Sequence, residues 1–91
     1  MEFRIDFPDF FNRCLEQLDK VVANRVLKRI AILKTSRHII LPVEQCPQEY
    51  SGLRKIKVGD WRVFLWCDEK EKFITLFAVW HRSEAYKKLF R

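Results

Sequence analysis

Cysteine is scarce in this sequence and forms no pattern: Cys14, Cys46 and Cys67 are odd in number, far apart, and lack both a Cys-x-x-Cys pair and a His at ligand spacing. That argues against a disulfide framework and gives no support to a zinc site. Long apolar runs are missing too. No stretch approaches the roughly 18 residues of a membrane span, and the opening Met-Glu-Phe-Arg-Ile-Asp has no apolar core of a secretory leader. Repeats, linkers and low-complexity tracts are also absent. The expectation is one cytoplasmic domain over residues 1–91, in a reducing compartment, with no cofactor, metal or membrane partner.

What the chain does have is positive charge. Eighteen basic residues stand against 12 acidic ones, a formal net charge of +6. Such a balance implies acidic partners, whether nucleic acid or protein. Ninety-one residues bury about 60 to 65 per cent of the unfolded surface without covalent staples, so size does not limit folding.

The run from Leu53 to Cys67 says most about where that charge goes. Gly59-Asp60 lies between two alternating segments, the signature of a tight two-residue hairpin loop that needs positive φ at its first position. With that loop, Val58 faces Trp61, Lys57 faces Arg62, Ile56 faces Val63, Lys55 faces Phe64 and Arg54 faces Leu65. Directly opposed residues share a face. One face then reads Ile56, Val58, Trp61, Val63 and Leu65, a core face. The other reads Lys55, Lys57, Arg62, Phe64 and Trp66, basic and aromatic. Lys57 opposite Arg62 repels by some tenths of a kcal/mol, and an anion between the two reverses the sign. A phosphate suits that place. The alternative is a set of solvated side chains on an exposed sheet face.

Around this hairpin the pattern predicts an α+β fold. Phe3, Ile5 and Phe7 alternate with polar residues as a short first strand. Pro8 suits a first helical position and Asp9 a helix N-terminus, so a helix is expected from about Pro8 to Leu18. A second follows on the stripe Val22, Val26, Ile30 and Leu33. Its basic residues, Lys20, Arg25, Lys28, Arg29 and Lys34, read as a solvated face. Thr35 to Tyr50, where Pro42, Pro47, Ser36 and Gln48 interrupt an apolar patch of Ile39, Ile40 and Leu41, is a long connection with room for a short strand. After the hairpin, Asp68 to Lys72 is a polar turn and Phe73 to Arg82 a last strand, apolar on both parities. The architecture expected is an N-terminal strand, a helical hairpin and a three-stranded antiparallel meander, one sheet packed against two helices, with a short C-terminal helix or tail.

This order of elements, with Arg54-Lys-Ile-Lys-Val-Gly-Asp-Trp-Arg-Val-Phe and Val79-Trp-His-Arg-Ser-Glu-Ala-Tyr86, resembles the RelE/ParE superfamily of toxins from type II toxin-antitoxin pairs. The resemblance spans nearly the whole chain. It implies one of two activities: cleavage of messenger RNA on the ribosome in the RelE branch, or poisoning of DNA gyrase in the ParE branch. It also implies a cognate antitoxin partner. Lys55, Lys57, Arg62, Arg82 and Tyr86 stand at positions matching the RelE-like active site, which favours the endoribonuclease branch. Arg82 and Tyr86 are only four apart, closer than in some relatives, so a bulge or helix start must supply their geometry.

RNA carries its own nucleophile, the 2′-hydroxyl. Cleavage needs a base for that proton, cations for the crowded phosphate and a proton for the leaving 5′ oxygen. Positive neighbours favour a phenolate, which makes Tyr86 the candidate base, with Lys55, Lys57 and Arg62 on the phosphate. Arg82 resembles the residue assigned as proton donor, although charge stabilisation suits a guanidinium better. His81 is a rival acid or base, since imidazole titrates near neutrality. Arg54, Phe64, Trp66, His81 and Lys87 complete the candidate RNA-binding set. Phe64 and Trp66 either stack on bases or pack beneath the C-terminal segment. A non-catalytic nucleic-acid-binding module is the remaining alternative.

Overall fold

In the computed structural model, which describes residues 2–90, the elements are β1 (Arg4–Asp6), α1 (Asp9–Glu16), α2 (Lys20–Ile32), β2 (Leu41–Pro42), a single 3-10 turn (Gln48–Tyr50), β3 (Arg54–Val58), β4 (Trp61–Asp68), β5 (Phe73–His81) and α3 (Arg82–Leu89). The strands form one five-stranded sheet in the order β1-β5-β4-β3-β2. Only β1 and β5 run parallel. The meander and helical hairpin are as the sequence pattern leads one to expect. The fifth strand, β2, is the short one taken from the long connection, and it covers the edge of β3 only at Arg54 and Lys55.

Element ends differ by a few residues from the expectation, for local reasons. Pro8 has φ −63° and ψ 159°, extended rather than helical, so it caps α1 and Asp9 is the first helical residue. α1 also stops at Glu16, short of Leu18. The Asp19 side chain accepts a hydrogen bond from the Val22 N–H, which starts α2 afresh and separates the two helices.

Register in the β3–β4 hairpin is the one the alternation dictates, from Val58 opposite Trp61 to Arg54 opposite Leu65. Gly59 has φ +59°. β5 does not keep simple parity. Phe64 pairs with Ala78 but Leu65 pairs with Leu76, so Phe77 is an extra residue, a β-bulge. Beyond it the faces exchange: Val79 joins Ile74 and Leu76 on the helical side, while Trp80 moves to the opposite side. Strict alternation would place Trp80 with Ile74 and Leu76 instead.

Two cores result. The larger lies between the sheet and the α1–α2 hairpin, built on Phe11, Val26, Ile30 and Leu33 against Ile56, Val63, Leu65 and Ile74. The smaller occupies the opposite face, where α3 lays Ala85 and Leu89 against Phe64, Leu53 and Val43. That second layer positions the site described next.

Candidate functional site

α3 starts where β5 ends, beside the Gly59–Asp60 turn, and runs back across the sheet. His81 sets its start. The imidazole Nδ1 accepts a hydrogen bond from the Ser83 N–H at 3.2 Å, and the Arg82 N–H donates to the Asp60 carbonyl at 2.7 Å. Ala85 and Leu89, four apart, form the buried stripe. Tyr86 follows Ala85, and its ring sits edge-on to Phe64 with centroids 6.4 Å apart. Phe90 stacks on its other side at 5.8 Å. The phenol is thus held between two aromatic rings over β3 and β4.

There it meets Lys55. The ammonium Nζ donates a hydrogen bond to the Tyr86 hydroxyl at 2.5 Å, joining residues 31 apart in sequence. Nζ also lies 5.2 Å from the ring centroid. Lys57, two residues on along the same face, is exposed, about 6.6 Å away along an extended strand. Arg62, opposite Lys57, turns its guanidinium toward the hairpin loop and donates from Nη1 to the Gly59 carbonyl at 2.8 Å and the Trp61 carbonyl at 3.0 Å. Those bonds fix the group and leave its other N–H donors free.

Arg82 is the first residue of α3, not the last of a strand. This resolves the short spacing to Tyr86: four residues along a helix put both on one face, about one turn apart. Its Nε lies 3.6 Å from Asp60 Oδ1, with both side chains about two-thirds exposed (63% and 64%). An exposed pair of that kind is worth about 0 to 1 kcal/mol, so an incoming phosphate can displace Asp60. Lys55 and Tyr86 therefore mark one end of a basic track, Arg82 and the turn the other, with Lys57 and Arg62 between.

The remaining candidates lie elsewhere or are otherwise engaged. Phe64 is fully buried (0% exposed); it forms the floor beneath Tyr86 and offers no face to a base. Trp66 is half-buried, its indole N–H donating to the Ser51 carbonyl at 3.1 Å. Arg54 belongs to the other face by register, where it borders a small cavity with Arg37, Cys67 and Glu69. His81 packs edge-on against Trp61 at 5.2 Å, on the helical side of the sheet. Arg54 therefore lies on the Leu65 face that the register gives it, Phe64 lies on the side of Lys55 but beneath the C-terminal helix, and His81 lies on the side opposite Lys55. Lys87 is exposed on α3.

Phe90, Ala85 and Asp60 were not among the candidates, though each helps place one. The Ala85/Leu89 interval was the available signal for α3. Among the described residues no three His, Cys, Asp or Glu side chains converge as metal ligands do, and no helix is long and apolar enough to cross a membrane.

A five-stranded open sheet with a helical hairpin on one face and a short C-terminal helix on the other is the fold of the RelE-like toxins. The toxin-antitoxin complex RelBE2 from Mycobacterium tuberculosis contains a chain that superposes with a TM-score of 0.75 at 16% identity, over 91% of this chain and 94% of that one. A chain of the archaeal RelE-RelB complex from Pyrococcus horikoshii gives 0.71 at 23% identity, over 90% and 97%. A mutant of the Escherichia coli toxin RelE in the free state gives 0.69 at 17% identity, over 98% and 95%. No curated protein matches the sequence significantly. The model of the ParE toxin family of type II toxin-antitoxin systems (parDE) matches residues 7–86. The chain belongs to that family, within the RelE/ParE superfamily, and is a toxin of the type II toxin-antitoxin class.

Proposed function

We propose that this toxin is a ribosome-dependent endoribonuclease that cuts messenger RNA without a metal ion, and that a cognate antitoxin, acidic where it covers the basic track, holds it inactive. The single observation that carries the reading is the Lys55–Tyr86 hydrogen bond at 2.5 Å, on a face that also bears Lys57 and Arg62. An ammonium that donates to the phenol oxygen places a fixed positive charge against the atom that must carry negative charge in the reaction.

In the proposed reaction, Tyr86, its phenol proton first passed to water, takes the proton from a 2′-hydroxyl and the freed oxygen attacks the adjacent phosphorus. The bond to the 5′ oxygen breaks, leaving a 2′,3′-cyclic phosphate on one fragment and a 5′-hydroxyl on the other. Lys55, Lys57 and Arg62 stabilise the charge that gathers on the non-bridging oxygens. Arg82, one helical turn from Tyr86, adds charge rather than a proton, because a guanidinium does not release one at neutral pH. The leaving oxygen is protonated from the medium.

The match to the ParE family model favours a second reading, a gyrase-directed toxin in which Lys55 and Tyr86 take no part in chemistry. Primer extension on a message carried by programmed ribosomes separates the two. The nuclease reading expects cleavage by the wild-type protein and none by Tyr86→Phe. Intact message with both, together with gyrase inhibition by both, overturns it.

A further inference from the structure

We infer a second phosphate-binding site on the opposite side of Lys57, in a cleft between α2 and the uncovered edge of β3, where the RNA backbone leaving the Lys55–Tyr86 site is held. This extends the nuclease reading and relies on it only for the identity of the polyanion. The cleft, about 360 Å³, is bordered by Arg25, Lys28, Arg29 and Lys57, with Ile32 and Val58 as its apolar walls and Gly59 at its end.

Three observations converge. The first is charge without compensation. From Lys20 to Val43 the chain carries Lys20, Arg25, Lys28, Arg29, Lys34 and Arg37 and no Asp or Glu. Among the described residues, the one ion pair, Arg82 with Asp60, lies outside the cleft. Arg25, Lys28 and Arg29 are three and four apart, so they crowd one helical face, an arrangement that costs helix stability unless an anion relieves it. The second is placement. The Arg25 guanidinium packs against the hairpin turn so closely that a Cβ at Gly59 would lie 3.1 Å from Nη2, which anchors one cation of the cleft to the loop that also anchors Arg62. The third is continuity. β2 covers β3 only at Arg54 and Lys55, so Lys57 stands at a bare edge and borders both the cleft and the face that carries Lys55 and Tyr86.

The lining selects the ligand. Protein-protein interface centres are poor in charge and rich in aromatic side chains; this cleft has four cations and no aromatic residue. Nucleic-acid interfaces are polar and strongly positive. Contacts to a phosphate backbone also require no particular base, consistent with side chains that project from one helix face rather than a shaped pocket.

The test is salt-dependent binding of a short fluorescent single-stranded RNA, methylated at every 2′ oxygen so that it has no nucleophile, measured by anisotropy with the full chain. Lys28→Ala/Arg29→Ala lowers the slope of log affinity against log salt by about 1.4, from about 0.7 per single-strand phosphate contact. Arg25→Gln/Lys28→Gln, at two exposed positions, repeats the measurement should the first variant fold poorly. Lys20→Ala/Lys34→Ala removes the same charge from outside the cleft and leaves the slope near that of wild type. An unchanged slope in the cleft variants, or an equal fall in the outside pair, overturns the inference. So does loss of binding to a poly-glutamate peptide with the RNA slope intact, which would make the cleft a protein site. Message cleavage on programmed ribosomes, assayed separately, reports on the nuclease reading alone: a fallen slope with no cleavage keeps the cleft and removes the nuclease.

Discussion

Tyr86→Phe deletes one oxygen and leaves the ring between Phe64 and Phe90, which makes it the sharpest separation of chemistry from folding in this protein. The hydroxyl lost is the acceptor for Lys55 Nζ at 2.5 Å. Hydrogen bonds to charged groups contribute about 1.5 to 3 kcal/mol when buried. Lys55 and Tyr86 are only half-buried, so water replaces much of that and the expected cost is about 1 kcal/mol or less. In a domain of this size that lowers Tm by no more than about 4 to 8 °C. The effect on cleavage is of another order, because removing a general base costs about 100- to 10,000-fold in rate. Thermal unfolding by circular dichroism, paired with single-turnover cleavage of ribosome-bound message, measures both on one preparation. Cleavage within tenfold of wild type refutes Tyr86 as the base. A collapse of the fold by several kcal/mol refutes the claim that its hydroxyl is dispensable for structure.

Other expectations follow from the same geometry. Phe64→Ala removes the floor beneath α3 and costs about 3 to 5 kcal/mol, seen as a lower urea midpoint; a shift below 1 kcal/mol contradicts the packing described. His81→Ala removes the cap of α3 at a cost of about 1 kcal/mol, and amide exchange should speed up in residues 82–89 first. Arg82→Ala leaves the melting curve within about 1 kcal/mol of wild type, since its exposed pair with Asp60 contributes little, while cleavage slows. Burial, and secondly the Glu69 carboxylate, push the Cys67 thiol above its ordinary value, so at mildly alkaline pH iodoacetamide labels it more slowly in the folded protein than in urea; equal rates, read by mass spectrometry, contradict this.

The hairpin could be read from sequence because strict alternation and one glycine turn leave a single register, and a one-residue slip would bury Lys55 and Lys57. β5 could not. It is apolar on both parities, since both faces of the sheet are covered, and nothing in Phe73 to His81 marks Phe77 as the bulged residue. That ambiguity is why alternation misplaces Trp80, whereas the packing of Phe64 beneath the C-terminal segment was one of the two readings its position allowed. Counting parity put Phe64 correctly on the side of Lys55 but said nothing of depth: a strand face carries surface cations and a buried core side by side when a helix lies across part of it. Arg82 was hard for a related reason, because the strand passes straight into the helix through His81-Arg82-Ser83-Glu84, with no glycine or proline to mark the junction. Its four-residue spacing to Tyr86, awkward for a strand, is the natural spacing of one helix face.

The chemistry of the RNA ends tests the central claim most directly. If Tyr86 and the cations around Lys55 direct a 2′-hydroxyl onto its own phosphate, fragments released from ribosome-bound message carry a 2′,3′-cyclic phosphate upstream and a 5′-hydroxyl downstream, and a single 2′-deoxy substitution at the cut site abolishes cleavage there. Fragments ending in a 3′-hydroxyl and a 5′-phosphate, or no fragments at all, contradict it.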